Sequence, residues 1–390
     1  MTREASDCEG AKMREFRFGG ETFSTVKPLV IAEIGTGHGG DLVKAADLIA
    51  AVAATGARCA KFQCVFAEEI IHPATGLVPL PGGSTPLFSV FASLERDEGF
   101  YAELKRITEA AGLLFLCTPF GLRSAELLAR IGVQAMKIAS PELNHLPLLH
   151  RIAGYRVPTI VSSGVSTLGD IERALAIFEG TPIALLHCVT AYPAPPEDYN
   201  LALLESYSRL FEVAVGVSDH SLDPILVPAL AVASGASVVE KHICLSRDDP
   251  GLDDPIALEP EDFAKMRRAV ENAGIDPAAT IEALTRDYGQ ALVQATLGKG
   301  RKRLAPSEAA NYGRTNRSVH ALVEIKVGQV LDETNTALLR TEKLLRPGLE
   351  PGQWTQVLGR FARQPIPAGE GIRWEDVGDL AKSGREESRA

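Results

Sequence analysis

Between residues 29 and 243 the chain repeats one pattern eight times: a short apolar run, a polar or glycine turn, then a stretch of helical period. The apolar runs cover residues 29–35, 59–65, 113–118, 135–140, 158–163, 183–189, 213–218 and 237–243. They are nearly continuous in Val, Ile, Leu, Ala and Cys rather than alternating, as parallel strands covered on both faces must be. Helical patterns fall between them, for example at 41–54, 122–131, 171–178 and 224–234. Eight β-α units, mostly 22 to 30 residues apart, predict an α/β chain folded as a TIM (β/α)8 barrel rather than an open doubly wound sheet.

The flanks read differently. Residues 16–26 predict a hairpin over the barrel bottom, and a Pro/Gly-rich insertion at 79–85 lengthens the second connection. After an eighth helix near 260–273, residues 276–297 read as one more helix, followed by a basic, glycine-containing stretch at 298–317. Beyond it the helical period fades. Ile325-x-x-Gly328-x-x-Leu331 is echoed by Ile366-x-x-Gly369-x-x-Ile372, which predicts a small β-rich domain of two similar units. The expected division is a barrel at 1–285, a linker at 286–317, the small domain at 318–380 and a disordered polar tail at 381–390.

Composition narrows the function. Forty Lys+Arg against 50 Asp+Glu, a net charge of −10, argue against nucleic-acid or anionic-membrane binding. No apolar run approaches the length of a membrane span, and the charged N-terminus lacks a signal-type apolar segment, so a cytoplasmic protein is expected. Cys59, Cys64, Cys117, Cys188 and Cys244 sit in or beside apolar runs without zinc or redox spacing, and are expected to be buried free thiols.

Working residues of a TIM barrel gather at the C-terminal ends of its strands. Lys61, Lys137 and Lys241 are embedded in apolar strands. Each could pair with a strand carboxylate such as Glu33 or Glu240, but three converging in one interior would make an anion pocket. Thr118, Ser140, Ser162, Ser163, Gly164 and Ser218 close strands, and Ser166 and Thr167 stand where they could cap a helix, which suits a phosphate. His220 and His242 end neighbouring strands beside Asp219, Glu240 and Asp253. Two imidazoles among oxygens, without a third nitrogen or sulfur, favour a hydrated divalent ion such as Mn²⁺ over structural zinc. Glu33, Glu142, Glu240 and Asp253 are the candidates for proton transfer or hydroxyl recognition, and Tyr192 follows the sixth strand.

The strings IAEIGTGHGGD, AKFQ, KIASPELN, SSG, HCVTAYPAPPEDYNL, GVSDH and EKHICLSRDDPGLDD resemble the sialic acid synthase family. The tail, RSVHALVEIKVGQVLDETN through IPAGEGI, resembles that family's antifreeze-like (SAF) domain. The resemblance implies condensation of phosphoenolpyruvate with an N-acetylated hexose to a nine-carbon 3-deoxy-2-keto acid. It implies that His220 and His242 hold a divalent metal, usually Mn²⁺, with Mg²⁺ or Co²⁺ as alternatives. Phosphoenolpyruvate is assigned to Lys61, Thr118, Lys137, Ser140, Ser162 and Ser218, and the acceptor sugar to Glu33, Gln63, Tyr192, Glu240 and Asp253, with Glu142 a further substrate-binding candidate. Glu33, Glu240, Lys61 and Lys137 are the expected catalytic set. A homodimer is also implied, in which one chain's SAF domain caps the other's barrel and lends it an arginine, Arg346 by its Arg-Pro-Gly string or the nearby Arg340. The chain departs from the family at Gly37, where Asn usually precedes the histidine, so the acceptor could be N-acetylmannosamine or a di-N-acetylated sugar of legionaminic or pseudaminic acid synthesis. A lysine Schiff-base aldolase and a non-catalytic carbohydrate-binding protein are the rival readings.

Overall fold

The computed structural model describes residues 15–80, 83–342 and 344–380, so the tail expected to be disordered lies outside the described residues. Eight strands close into a parallel barrel: β1 (Leu29–Gly35), β2 (Cys59–Cys64), β3 (Leu114–Pro119), β4 (Met136–Ile138), β5 (Thr159–Ser162), β6 (Ile183–Cys188), β7 (Ala214–Asp219) and β8 (Val238–His242). Each pairs with its sequence neighbours, and β8 returns to β1 with Glu240 opposite Ile31 and His242 opposite Glu33. This is the TIM (β/α)8 architecture.

Side chains alternate between the helix-facing and interior sides of each strand. Val30, Ala32 and Ile34, Ala60 and Phe62, and Val239 pack outward into the layer shared with the helices. Leu29, Ile31, Cys59, Leu114, Leu116, Ile160, Ala184, Leu186, Ala214 and Val238 point inward and fill the lower barrel. The N-terminal hairpin, Phe16–Phe18 with Glu21–Phe23, presses Phe16, Phe18 and Phe23 into that same cluster. The bottom is thereby sealed with hydrocarbon, and polar chemistry is confined to the upper end.

Local sequence explains the element ends. Asp41 caps the helix Leu42–Thr55 by accepting the Val43 N–H, and Gly56 closes it at a φ of 80°. Thr167 and Asp170 form a reciprocal capping box on Leu168–Ala176. β4 is shorter than the pattern predicts, because Pro141 turns the chain into a 3₁₀ turn at Ser140–Glu142. The single helix expected at 276–297 is two, Pro277–Tyr288 and Gln290–Leu297, broken at Gly289 with a φ of 85°. The insertion forms a hairpin, Val78–Leu80 with Gly83–Thr85.

The small domain pairs β9 (Arg317–Ala321) with β10 (Thr336–Arg340) and β11 (Arg360–Ala362) with β12 (Val377–Leu380), all antiparallel. The internal echo becomes a physical pairing: Ile325 bridges Ile366, and Ile325, Leu331, Ile366 and Ile372 share one core. The domain docks on the barrel of its own chain through a parallel bridge between Ile71 and Arg340. Among the described residues no helix is long and apolar enough to cross a membrane.

Candidate active site

Continuing the inward alternation above the apolar plug brings Glu33, Lys61, Gln63, Thr118, Lys137, Ser162, Cys188, Ser218, Glu240 and His242 to one chamber. Their contacts bear this out. Lys61 Nζ lies 2.8 Å from Glu33 Oε2 and 3.6 Å from Glu240 Oε1, and donates to Thr118 Oγ1 at 3.4 Å. Lys137 Nζ donates to Ser162 Oγ at 2.6 Å and lies 3.7 Å from Glu240 Oε1. Ser218 Oγ donates to Glu240 Oε1 at 3.0 Å, and Gln63 Nε2 to Glu33 Oε1 at 2.8 Å.

Beside Lys137, the Gly164 N–H donates to Ser140 Oγ at 3.0 Å. A Cβ at Gly164 would come within 2.1 Å of Thr190 Oγ1 and 2.9 Å of Ser140 Oγ, so only glycine permits this approach. Lys61, Lys137, Ser162 and Ser140, whose hydroxyl oxygen the Gly164 N–H holds in place, form a cradle of cations and hydroxyls that suits a phosphate or carboxylate.

The charges in the chamber are tuned by one another. Burial opposes ionisation of Glu240, but Lys137 and Lys61, with the Ser218 hydroxyl, hold its carboxyl down at about 2. Burial lowers Lys137, with Lys61 adding to the effect against the pull of Glu240. Lys61 ends above its ordinary value, because Glu240 and Glu33 outweigh its desolvation. Glu240 Oε2 is buried without a hydrogen-bond partner among the described residues, an acceptor left for a guest molecule.

Across the chamber stand the two histidines, their ring centroids 5.6 Å apart. His220 Nδ1 lies 2.8 Å from the Val189 carbonyl, which places a proton on Nδ1 and makes Nε2 the nitrogen that could ligate an ion. Tyr192 stacks on the His220 ring at 4.2 Å, and His242 Nδ1 lies 3.8 Å from Asp253 Oδ2. Oriented imidazoles beside an unpartnered Glu240 oxygen fit a divalent ion that keeps several oxygen ligands of its own. They do not fit a closed structural site, since no group of three or more His, Cys, Asp or Glu able to hold a metal occurs among the described residues.

Some expected members are elsewhere. Lys241 does not join Lys61 and Lys137: it lies on the opposite side of β8 from Glu240 and His242, and its Nζ is 2.6 Å from Asp219 Oδ2. Asp219 is consumed by that pair and does not face the histidines. Glu142, expected among the substrate-binding residues, accepts on Oε1 from Arg317 Nη2 at 2.9 Å and Arg340 Nε at 3.0 Å, while its Oε2 has no partner among the described residues. Arg340 therefore lies at the barrel, whereas Arg346 is held within the small domain by Asp376, 2.7 Å away. These arginine contacts are made within one chain, where the resemblance led to an exchange between two.

The pattern reading did not single out Arg317 or Glu308. Arg317 is buried and also donates to the Phe120, Ile70 and Leu338 carbonyls. Glu308 accepts the Val165 and Thr190 N–H groups at 2.9 and 2.8 Å. Glu308 is marked as the one acidic residue of the basic connecting segment, whereas nothing local marks Arg317 among its other cations. The five cysteines described are free and buried, and Cys188 lies 3.9 Å from His220 Nδ1.

Comparison with known proteins agrees with this geometry. Residues 48–276 match the NeuB family and residues 316–378 the SAF domain. The N,N'-diacetyllegionaminic acid synthase of Campylobacter jejuni is 32% identical over 89% of this chain and 99% of its own. The human N-acetylneuraminate-9-phosphate synthase is 31% identical over 77% of this chain and 80% of its own. The crystal structure of the spore coat polysaccharide biosynthesis protein SpsE of Bacillus subtilis superposes with a TM-score of 0.76, at 32% identity, over 95% of this chain and all of that one. The chain therefore belongs to the NeuB family of sialic acid synthase-type proteins, with a SAF domain at its C-terminal side.

Proposed function

We propose that this protein is a phosphoenolpyruvate-dependent nonulosonate synthase. It joins phosphoenolpyruvate, an N-acetylated hexose and water into a nine-carbon 3-deoxy-2-keto sugar acid and releases phosphate. One observation carries the reading: a single chamber holds an anion cradle around Lys137, Ser162 and Gly164, an oriented histidine pair, and the unpartnered Glu240 Oε2. The family relationship supports the same class of reaction.

In this reading Lys61 and Lys137 neutralise the phosphate and carboxylate of phosphoenolpyruvate, with the Ser140 and Ser162 hydroxyls fixing their oxygens and the Gly164 N–H holding Ser140 in place. C3 of the enol attacks C1 of the open-chain sugar, forming the new carbon–carbon bond while the sugar carbonyl oxygen gains a proton. Water adds at C2, and the C2–O bond to phosphate breaks. Glu240, ionised at neutral pH because its carboxyl is held at about 2, orients that water through Oε2. Glu33, Gln63, Tyr192 and Asp253 line the side left for the sugar. His220 and His242 would hold a divalent ion, Mn²⁺ first among the candidates, whose chemistry when bound is to polarise the sugar carbonyl.

N-acetylmannosamine or a bacterial analogue is the proposed acceptor. A di-N-acetylated acceptor is the second reading, favoured by the similarity to the Campylobacter jejuni legionaminic acid synthase. The proposed assembly is a cytoplasmic homodimer in which Arg317 and Arg340 meet Glu142 of a second copy through the same contacts now made within one chain. Light scattering of the purified protein tests the dimer.

The deciding experiment measures phosphate release from phosphoenolpyruvate across a panel of N-acetylated and di-N-acetylated hexoses with Mn²⁺ present. Release with one acceptor supports the reading and names the sugar. A carbohydrate-binding protein would release none, and a Schiff-base aldolase would instead be trapped on pyruvate by borohydride.

A further inference from the structure

We propose that Glu308, on the segment joining the two domains, is a positioning residue for the anion cradle, holding the loop after β5 in the strained conformation that the cradle needs. The proposal rests on the cradle being the phosphoenolpyruvate site.

The strain sits at Val165, directly after Gly164. Its φ is +42°, and its side chain is fully buried. A β-branched residue in the left-handed region is a genuine outlier, because its Cβ substituents crowd the backbone. Such a conformation persists only where the surroundings over-determine it.

The connecting segment does so from both sides of the residue. The Val165 N–H donates to Glu308 Oε2 at 2.9 Å, and the Val165 carbonyl accepts from Asn316 Nδ2 at 3.1 Å. Both holders are themselves fixed: Glu308 Oε1 accepts the Ala305 N–H at 3.2 Å, and Asn316 Oδ1 accepts the Gly313 N–H at 2.8 Å. Glu308 is 1% exposed, so these bonds are shielded from water. Lys302 reaches the Ser163 carbonyl at 3.5 Å from the same segment.

The neighbouring backbone has no slack. Gly164 presents its N–H to Ser140 Oγ from a position where even a methyl group would collide. Returning Val165 to an ordinary φ rotates the Gly164–Val165 peptide plane, and with it the approach of Gly164 and Ser162 to Lys137. Glu308 Oε2 also accepts the Thr190 N–H at 2.8 Å. One carboxylate oxygen thus ties the anion loop to the loop that carries Tyr192 over His220.

If Glu308 only glued the two domains together, its loss would not be relieved by a change at Val165. Glycine adopts positive φ without strain, which separates the two roles. The test titrates phosphoenolpyruvate calorimetrically into the full chain and its Glu308→Ala, Glu308→Gln, Val165→Gly and Glu308→Ala/Val165→Gly variants. Glu308→Ala is expected to raise the dissociation constant roughly tenfold or more. Glu308→Gln, whose amide oxygen still accepts the Val165 and Thr190 N–H groups while its NH2 gives up the Ala305 bond, is expected to bind between the wild type and Glu308→Ala. The double variant binds as tightly as Val165→Gly alone, because the strain Glu308 held is gone.

The proposal is overturned if Glu308→Ala binds like the wild type, or if the double variant loses the same factor relative to Val165→Gly. Should Glu308→Ala not fold, Asn316→Ala, with and without Val165→Gly, carries the same comparison from the carbonyl side. A wild-type protein that binds no phosphoenolpyruvate refutes the functional reading instead. The positioning role is then decided by the crystal structure of Glu308→Ala: a Val165 φ returned to negative values supports it, and a retained positive φ overturns it.

Discussion

Lys241 and Asp219 form a fully buried ion pair, 2.6 Å from Nζ to Oδ2, on the helix side of the β7–β8 junction and not in the chamber that holds Glu240. Breaking such a pair leaves a buried charge alone. Lys241→Met is therefore expected to destabilise the fold by about 3–5 kcal/mol, and Lys241→Met combined with Asp219→Asn by less. Denaturant unfolding measures both. A Lys241→Met protein of wild-type stability that had lost phosphoenolpyruvate binding would contradict this assignment.

Lys137 donates to Ser162 Oγ and faces Glu240, and burial draws its pKa below the ordinary lysine value. The cradle needs its charged form. Phosphoenolpyruvate affinity is thus expected to decline on the alkaline side at a lower pH than a solvent-exposed lysine would allow. Lys137→Met should weaken binding about a hundredfold, as loss of one partner from a buried, hydrogen-bonded charge pair does. Titration calorimetry from pH 7 upward checks both statements, and a flat profile through the lysine range would count against them.

His220 and His242 present the two ring nitrogens proposed to hold the ion. Replacing either by alanine should abolish tight Mn²⁺ binding, read by the loss of bound-ion attenuation of the Mn²⁺ electron paramagnetic resonance signal, with far-ultraviolet circular dichroism unchanged. Full turnover in excess chelator would remove the ion from the reaction.

Four other histidines are buried and held neutral. Burial brings His145 and His187 down to about 3 and His38 and His320 to about 4. The unfolded chain takes up these protons below about pH 6.5 while the folded chain does not. Their contribution to stability is therefore complete above about pH 6.5 and is lost as the pH falls toward the folded values of about 3 to 4, by about 1.4 kcal/mol per pH unit for each histidine. Chemical denaturation between pH 7 and 4.5 should show a falling stability that His145→Asn makes shallower. Constant stability across that range would refute it.

Arg317 is fully buried and anchors three barrel loops, through Glu142, Phe120 and Ile70, to the small domain. Asn144 adds two bonds to its backbone, at 2.9 and 3.1 Å. Arg317→Ala is expected to undock the small domain at a cost of about 1–3 kcal/mol, because the buried Phe120 carbonyl loses its donor and Glu142 keeps only Arg340. Limited proteolysis should then cut within residues 298–316 faster than in the wild type, with the barrel fragment surviving. An unchanged cleavage rate would mean that the contact does not hold the domains together.

The strand period made much of the chamber readable in advance. Glu33 follows Leu29 and Ile31 at two-residue steps, and Ser162 follows Ile160, so one parity places apolar side chains below and polar ones above. The same parity puts Lys241 on the other face from Glu240 and His242, so the three lysines do not converge and Lys241 pairs with Asp219 instead. The echo in the small domain was equally legible, because Ile325 and Ile366 each open a strand–turn unit of identical spacing. The arginine contacts of Glu142 were hidden for a different cause: Arg317 lies 175 residues away, and nothing local marks a carboxylate whose counter-ion arrives from another domain.

By itself, the order of apolar and polar residues determined the barrel, its sealed bottom and the ring of cations, hydroxyls and histidines at its mouth, because strand and helix periods are local and act over a few neighbours. Only the tertiary structure decided which charges remain available to a ligand. Asp219 is spent on Lys241 and Glu308 on the backbone of two loops, whereas Glu142 commits Oε1 to its arginines and keeps Oε2 without a partner among the described residues. The physical reason is that a buried charge must find a partner wherever folding brings one, and that pairing is set by distance in space and not along the chain.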